Sequence, residues 1–181
     1  LGPFLAKNFA STISPWVVTL DALEPFRTPL AARAVGDPDP LPYLASSDDR
    51  ARGGFGITVE TWLRTVRMRE AGAPAVRLTQ GKATDLYWSM AQLLVHHASS
   101  GCNLRPGDLL GSGTISGPDK ESRGCLLELT WRGAEPLALA NGETRSFLED
   151  GDELEITAFA EREGAVRIGF GRCVGTILPA R

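Results

Sequence analysis

The stretch Asn103-Leu-Arg-Pro-Gly-Asp-Leu-Leu-Gly-Ser-Gly-Thr-Ile-Ser-Gly-Pro118 gathers groups suited to holding a small polar ligand. Gly111, Gly113 and Gly117 are interleaved with Ser112, Thr114 and Ser116. Glycines at this density let the main chain approach a ligand or a neighbouring strand closely, and they permit positive φ at bends. The hydroxyls between them bring donors and acceptors to one spot. The same hydroxyls can instead bond their own backbone and merely close turns.

Charged and titratable positions extend this inventory. Glu128 stands in Leu126-Leu-Glu-Leu-Thr130, and a lone carboxylate in an apolar run needs a partner or solvent, because burying it unpaired is costly. Read as a strand, the run points Glu128 away from Leu127 and Leu129. That fits an outward-facing surface residue as well as a held catalytic carboxylate. Lys7, in Phe4-Leu-Ala-Lys-Asn-Phe9, reads as an ammonium whose stem covers apolar neighbours. His96 and His97 fall near the end of a helical stretch, where imidazoles serve terminal carbonyls and the helix dipole, so structure is expected of them rather than chemistry. Asp150 and Asp152 flank Gly151 in a spacing too common to indicate calcium. Cys102, Cys125 and Cys173 are odd in number, widely spaced and without zinc spacing, which fits reduced thiols.

The elements that must position these groups are mostly strands. Thr12 to Leu20 is β-branched and aromatic around Pro15, which suggests an edge strand or a bend. Arg27 to Asp49, rich in Pro, Ala and Asp, reads as a long surface loop pinned by Pro42 and Tyr43. Ile57 to Leu63 alternates as a half-buried strand, and the alternation continues weakly to Met68. One segment switches to helical period: Thr84 is the expected N-cap, Leu86, Met90, Leu93, Leu94 and His97 share a face, and Gly101 ends the helix. Further strands are expected at Cys125 to Trp131, Leu137 to Leu139, Thr144 to Phe147, Glu153 to Phe159 and Val166 to Ile177. Asn141-Gly142 signals a two-residue hairpin turn. The expectation is a mainly β, antiparallel architecture with one prominent helix.

At 181 residues, with no internal repeat and no dividing linker, the chain reads as a single domain over 1–181. A formal charge of −3 and scattered basic residues argue against a nucleic-acid surface. No run approaches the roughly 18 apolar residues that span a bilayer, and no signal peptide is evident. Together with the cysteine usage this points to a cytoplasmic protein. Leu1-Gly2-Pro3 reads like the interior of a domain.

Taken in order, several segments resemble the fumarylacetoacetase family. They are Leu1-Gly-Pro-Phe-Leu5, Lys7, Thr12-Ile-Ser-Pro-Trp-Val-Val18, Asp21-Ala-Leu23, Leu41-Pro-Tyr-Leu44, Tyr87-Trp88 and His96-His97. Gly101-Cys-Asn-Leu-Arg-Pro-Gly-Asp108, Asn141-Gly142, Asp150-Gly-Asp152 and Arg167-Ile-Gly-Phe-Gly171 complete the series. The form Ser112-Gly-Thr-Ile-Ser-Gly117 favours this branch over the related decarboxylases and isomerases, which usually carry Thr-Gly-Thr-Pro.

The resemblance implies the carboxy-terminal part of a mixed or antiparallel β-roll-type catalytic domain, with its partner segment upstream. It implies metal-dependent hydrolysis of the carbon–carbon bond of the β-diketo acid 4-fumarylacetoacetate to fumarate and acetoacetate, the last step of tyrosine and phenylalanine breakdown. The cation, Mg²⁺ and/or Ca²⁺, would be held by carboxylates upstream of Leu1, beside the catalytic histidine. Glu128 matches the glutamate that orients and charges that histidine. Lys7 matches a lysine beside the metal and the developing carbanion oxygen, and Ser11 stands where the family has a metal-site threonine. Thr114 matches a substrate-binding residue, with Gly113 letting the ligand approach. Ala6 and Ala10 replace family glycines. A homodimer is also implied. Two other readings stand beside this one: another acylpyruvate-type hydrolase or decarboxylase, and a non-catalytic β-rich binding module. Retention of Lys7, Thr114 and Glu128 together argues against the last.

Overall fold

Alternating β-branched and polar residues in Ile57-Thr-Val-Glu-Thr-Trp-Leu-Arg64 supply the strand around which the rest is arranged. The computed structural model of the chain describes residues 10–180. In chain order its regular elements are α1 (Leu20–Leu23), β1 (Arg27–Thr28), α2 (Ser47–Arg52), β2 (Gly54–Phe55), β3 (Ile57–Arg64) and α3 (Val66–Glu70). There follow β4 (Val76–Lys82), α4 (Met90–Ala98), α5 (Leu126–Leu129), β5 (Leu137–Ala138), β6 (Thr144–Arg145), β7 (Glu153–Ala160) and β8 (Ile168–Thr176).

The main sheet is four-stranded and antiparallel, in the order β4-β3-β7-β8. β3 pairs along its whole length with β7, from Ile57 opposite Ala160 to Arg64 opposite Glu153. β1 pairs with β2, and β5 with β6, as separate two-stranded ribbons. Apolar side chains close around the sheet in two clusters. One joins Leu23, Phe26, Phe55 and Ala160. The other joins Leu63, Met68 and Leu139. Each fully buried Leu, Phe or Met side chain among these contributes about 1.5–3 kcal/mol of transfer free energy. Among the described residues no helix is long and apolar enough to cross a membrane.

The described residues mix helices and strands. α1, α2, α3 and α5 stand beside the one helix expected, so the helical share exceeds a mainly β reading. Expectations hold closely where alternation is strong: Glu153 to Phe159 is β7, and Val166 to Ile177 contains β8. Elsewhere the structure corrects them. Thr12 to Thr19 forms no ladder; Pro15 lacks an N–H, and the segment lies against β8 through Ser14 Oγ to the Phe170 carbonyl at 3.4 Å. Trp16 packs where a Cβ on Gly171 would stand. The 27–49 stretch is irregular only in its middle. It opens with β1 and closes in α2, whose N-cap Ser46 accepts the Asp49 amide. The alternation past Leu63 does not reach Met68, because Thr65 caps α3 instead. β4 is a strand the sequence reading lacks: Val76 and Leu78 are half-buried about exposed Arg77, but a bulge shifts the phase there, so that Thr79 and Gly81 are buried beyond it.

The prominent helix starts later than Thr84. Ser89 accepts the Gln92 amide while the Gln92 side chain takes the Ser89 amide, a capping box that outcompetes Thr84. Residues 83–85 form a short 3₁₀ turn instead. The helix ends at Ala98, and Gly101, at φ 87°, turns back to bond the Ala98 carbonyl at 3.0 Å. The hairpin around Asn141-Gly142 is present, but its loop covers residues 139–143 rather than two residues.

The largest correction concerns Cys125 to Trp131. This is a helix, with Leu129 and Thr130 amides bonding the Cys125 and Leu126 carbonyls at 3.0 and 2.9 Å. Leu126, Leu127 and Leu129 are not β-branched, and leucine favours helix once a turn can nucleate. Trp131 and Arg132 then enter the left-handed region, at φ 46° and 59°, and reverse the chain into Gly133.

Candidate active site

The site grows from the end of β4. Gly81 has no side chain, and the Ile115 carbonyl lies 3.4 Å from where its Cβ would stand, so the glycine-rich segment rests directly on the strand. Gly117 donates its amide to the Ser122 carbonyl at 3.0 Å. Gly124 leaves a space that the Thr114 methyl and the Ile115 carbonyl fill. Residues 114–117 and 122–124 are thereby strapped together at glycine contacts that any larger residue would force apart. Cys125 is extended, and the first turn of α5 follows at once. That turn carries Glu128 back over the glycine segment.

Glu128 is half-buried there. Ser116 donates its hydroxyl to Glu128 Oε2 at 2.6 Å and accepts the Gly124 amide at 3.1 Å. The Arg123 guanidinium donates to the Glu128 main-chain carbonyl at 3.2 Å and lies 5.1 Å from the Trp131 ring centroid. The resulting concave surface is lined by Ser116, Arg123, Leu127, Glu128 and Trp131 among others. Leu127 and Trp131 expose apolar surface beside the carboxylate, at 49% and 59%. Such an arrangement offers a fixed acceptor beside a site where part of the water can be displaced.

Gly113 sits at φ 77° with open space where a side chain would project, and Thr114 beside it is exposed. A positive φ at that position is strained for any residue with a Cβ. Gly113 and Thr114 are thus joined to Glu128 indirectly, through Ser116 and the seat of the Thr114 methyl at Gly124, and do not themselves line the surface beside the carboxylate. Ser11 is exposed and immediately precedes Thr12, whose side chain lies against Gly175 in β8. That is the opposite end of the strand order from β4. Lys7 lies outside the described residues. The resemblance implies an upstream histidine as partner of Glu128, but the sequence shows no partner within this chain. Ser116 supplies it, and its place among the turn hydroxyls was the available signal. Arg123 carried no signal of its own.

Other polar groups resolve into structural roles. Tyr43 OH pairs with His96 Nδ1 at 2.9 Å, and Cys102 Sγ with His97 Nε2 at 3.2 Å, both at the end of α4. Cys102, Cys125 and Cys173 are free thiols. Asp152 is fully buried and takes two hydrogen bonds from Arg145, at 2.8 and 3.0 Å, plus the Glu149 amide at 2.9 Å. That pairing, with Glu149 and Glu143 nearby, holds the Arg145 guanidinium charged against the cost of its burial. Glu143 is kept below its ordinary range first by the Thr65 hydroxyl at 2.5 Å, then by Asn141 and Arg145. Among the described residues no three His, Cys, Asp or Glu side chains come together as a metal ligand set.

The family model described as fumarylacetoacetate (FAA) hydrolase C-terminal matches residues 1–178. Fumarylacetoacetase of Homo sapiens is 48% identical over 180 residues, which is 99% of this chain and 40% of the human protein. Fumarylacetoacetase of Arabidopsis thaliana is 49% identical over 181 residues, and that of Dictyostelium discoideum 42% over 182, each again covering 99% of this chain. The chain spans about 40% of the length of these relatives.

Proposed function

This chain belongs to the fumarylacetoacetate hydrolase family, and from that membership we propose that it is the carboxy-terminal part of an enzyme hydrolysing 4-fumarylacetoacetate to fumarate and acetoacetate. The relatives of that name support the reading. The observation that carries it is the clasp of Ser116 on Glu128, 2.6 Å long, within the glycine turn that presents Thr114. A carboxylate held in one orientation beside an open concave surface is what an imidazole base requires of its partner.

In this reaction water adds to the carbonyl carbon of the fumaryl group, which becomes a carboxylate of fumarate. The carbon–carbon bond then breaks, and its electron pair leaves as the acetoacetate carbanion, which takes up a proton. Glu128 fixes and charges an imidazole contributed from upstream, which accepts the water's proton. Thr114 hydrogen-bonds the substrate, and the open side of Gly113 gives it room. Lys7 stabilises the carbanion's enolate oxygen as charge develops. The described residues do not supply a ligand set for Mg²⁺ or Ca²⁺. On this reading its carboxylates lie upstream, Ser11 stands where the family has a metal-site threonine, and none of the steps assigned here to this chain's residues passes through the cation.

The same reading makes residues 1–181 part of a β-roll-type catalytic domain completed by the upstream segment, in a cytoplasmic homodimer. The test is turnover of 4-fumarylacetoacetate. The 181-residue chain alone is expected to be inactive, and the full-length enzyme, or the chain recombined with the upstream segment, active. Robust turnover by the isolated chain would overturn this division of the site.

A further inference from the structure

The clasp on Glu128 is more constrained than a single hydrogen bond. A serine hydroxyl has one proton and two lone pairs. Ser116 Oγ accepts the Gly124 amide at 3.1 Å, so its rotor is set and its one proton points to Glu128 Oε2 at 2.6 Å. Donation to an ionised carboxylate at that length is of the strong, charge-assisted kind. The backbone on either side is held as well. Gly117 is bonded to Ser122, and the Arg123 side chain ties down the Glu128 carbonyl. Gly124 is the shared reference point: its amide sets Ser116, and its missing side chain seats the Thr114 methyl.

We propose that Ser116 is a positioning residue for Glu128. It occupies Oε2 and so presents Oε1, which takes no hydrogen bond from another described residue, to the imidazole that Glu128 orients. Through Gly124 the same contact fixes the substrate hydroxyl of Thr114 relative to that carboxylate. This inference rests on the reading of Glu128 as partner of the catalytic imidazole.

The experiment is a kinetic cycle in the full-length enzyme with Ser116→Ala, Ser116→Thr, Glu128→Gln and the Ser116→Ala/Glu128→Gln double variant. Ser116→Ala is expected to lower kcat on the order of 10- to 100-fold, the effect of one hydrogen bond to a charged group, with KM little changed. Ser116→Thr keeps the hydroxyl and recovers most of the loss. In the Glu128→Gln background Ser116→Ala costs little more, because the residue acts through the carboxylate already lost. A purely structural serine would lower the melting temperature and give equal losses in both backgrounds, and that result overturns the inference. So does a wild-type kcat for Ser116→Ala beside a large loss for Glu128→Gln, which leaves the reading of Glu128 intact. Glu128→Gln with wild-type kcat removes that reading and this inference together. Should Ser116→Ala fold poorly, Ser116→Cys, of similar volume and a weak donor, takes its place in the same cycle.

Discussion

Glu128 and Asp152 are both carboxylates gripped by neighbours in short, local stretches of chain, yet they are gripped to opposite ends. Asp152 is fully buried, and both its oxygens are taken, by two Arg145 nitrogens and the Glu149 amide. Its turn is further tied by the Ile177 amide on the Asp152 carbonyl at 2.9 Å. Glu128 is half-buried, and one of its oxygens is held by Ser116. A saturated carboxylate can only hold the fold together. One that is oriented by a single donor keeps an acceptor for something that arrives. The two carboxylates thus differ in saturation as well as in burial and in the charge of their partners.

That contrast can be broken by experiment. The largest effect is expected from Glu128→Gln in the full-length enzyme: kcat falls on the order of 10²–10⁴-fold, the range of general acid–base contributions, with the melting temperature near wild type. Unchanged turnover would place Glu128 with the structural carboxylates. Asp152→Ala should show the converse. It leaves the Arg145 charge buried without its main partner, which costs about 3–5 kcal/mol in urea unfolding, and any loss of turnover should follow the loss of folded protein. Lys7→Met deletes an ammonium while keeping most of the apolar stem. Turnover is expected to fall roughly 10²–10³-fold, as for removal of one charge-stabilising donor, in a normally melting enzyme; full activity would remove Lys7 from the site.

The smallest effect is in pH. Glu143 and Glu155 are both held below the ordinary carboxylate range, the first chiefly by the Thr65 hydroxyl and the second by Arg172. Depressed folded values mean that the stability they contribute is present above the unfolded value, about 4.3, and is lost as pH falls through the folded one. Melting temperature should decline over that acidic range, and less steeply in Glu155→Gln. An identical slope in the variant would show that the Arg172 pair adds nothing.

Much of the sheet was legible because period-2 alternation is a direct record of a half-buried strand. β7 and β8 were read nearly to their ends. The 76–82 strand is not legible because the bulge at Leu78 breaks its period and because Thr79 and Gly81, rather than apolar residues, fill its buried positions beyond it. The start of α4 was misplaced at Thr84, yet Ser89-x-x-Gln92 is a capping-box spelling visible in the sequence. Leu126-Leu-Glu-Leu129 carries no period of its own at four residues. What makes it helical is the extended Cys125 before it and the left-handed Trp131 and Arg132 after it, both outside the reach of pattern. At the site, the turn and its hydroxyls were visible. The pairing of Ser116 with Glu128 was not, because it depends on the close contact at Gly124.

The separations along the chain also set an order in time. Ser116 and Glu128 lie 12 residues apart, whereas the links from Ser14 to Phe170 and from Cys173 to Thr12 span 156 and 161. Closing loops of those lengths differs by about 2 kcal/mol in chain entropy, but synthesis imposes the stricter limit. Once residues 76–132 have emerged from the ribosome, the glycine turn and its carboxylate have every contact within this chain described for them. The stretch around Ser11 must wait for the last strand, some 40 residues later in translation. The two edges of the sheet, β4 and β8, are thus made in separate instalments.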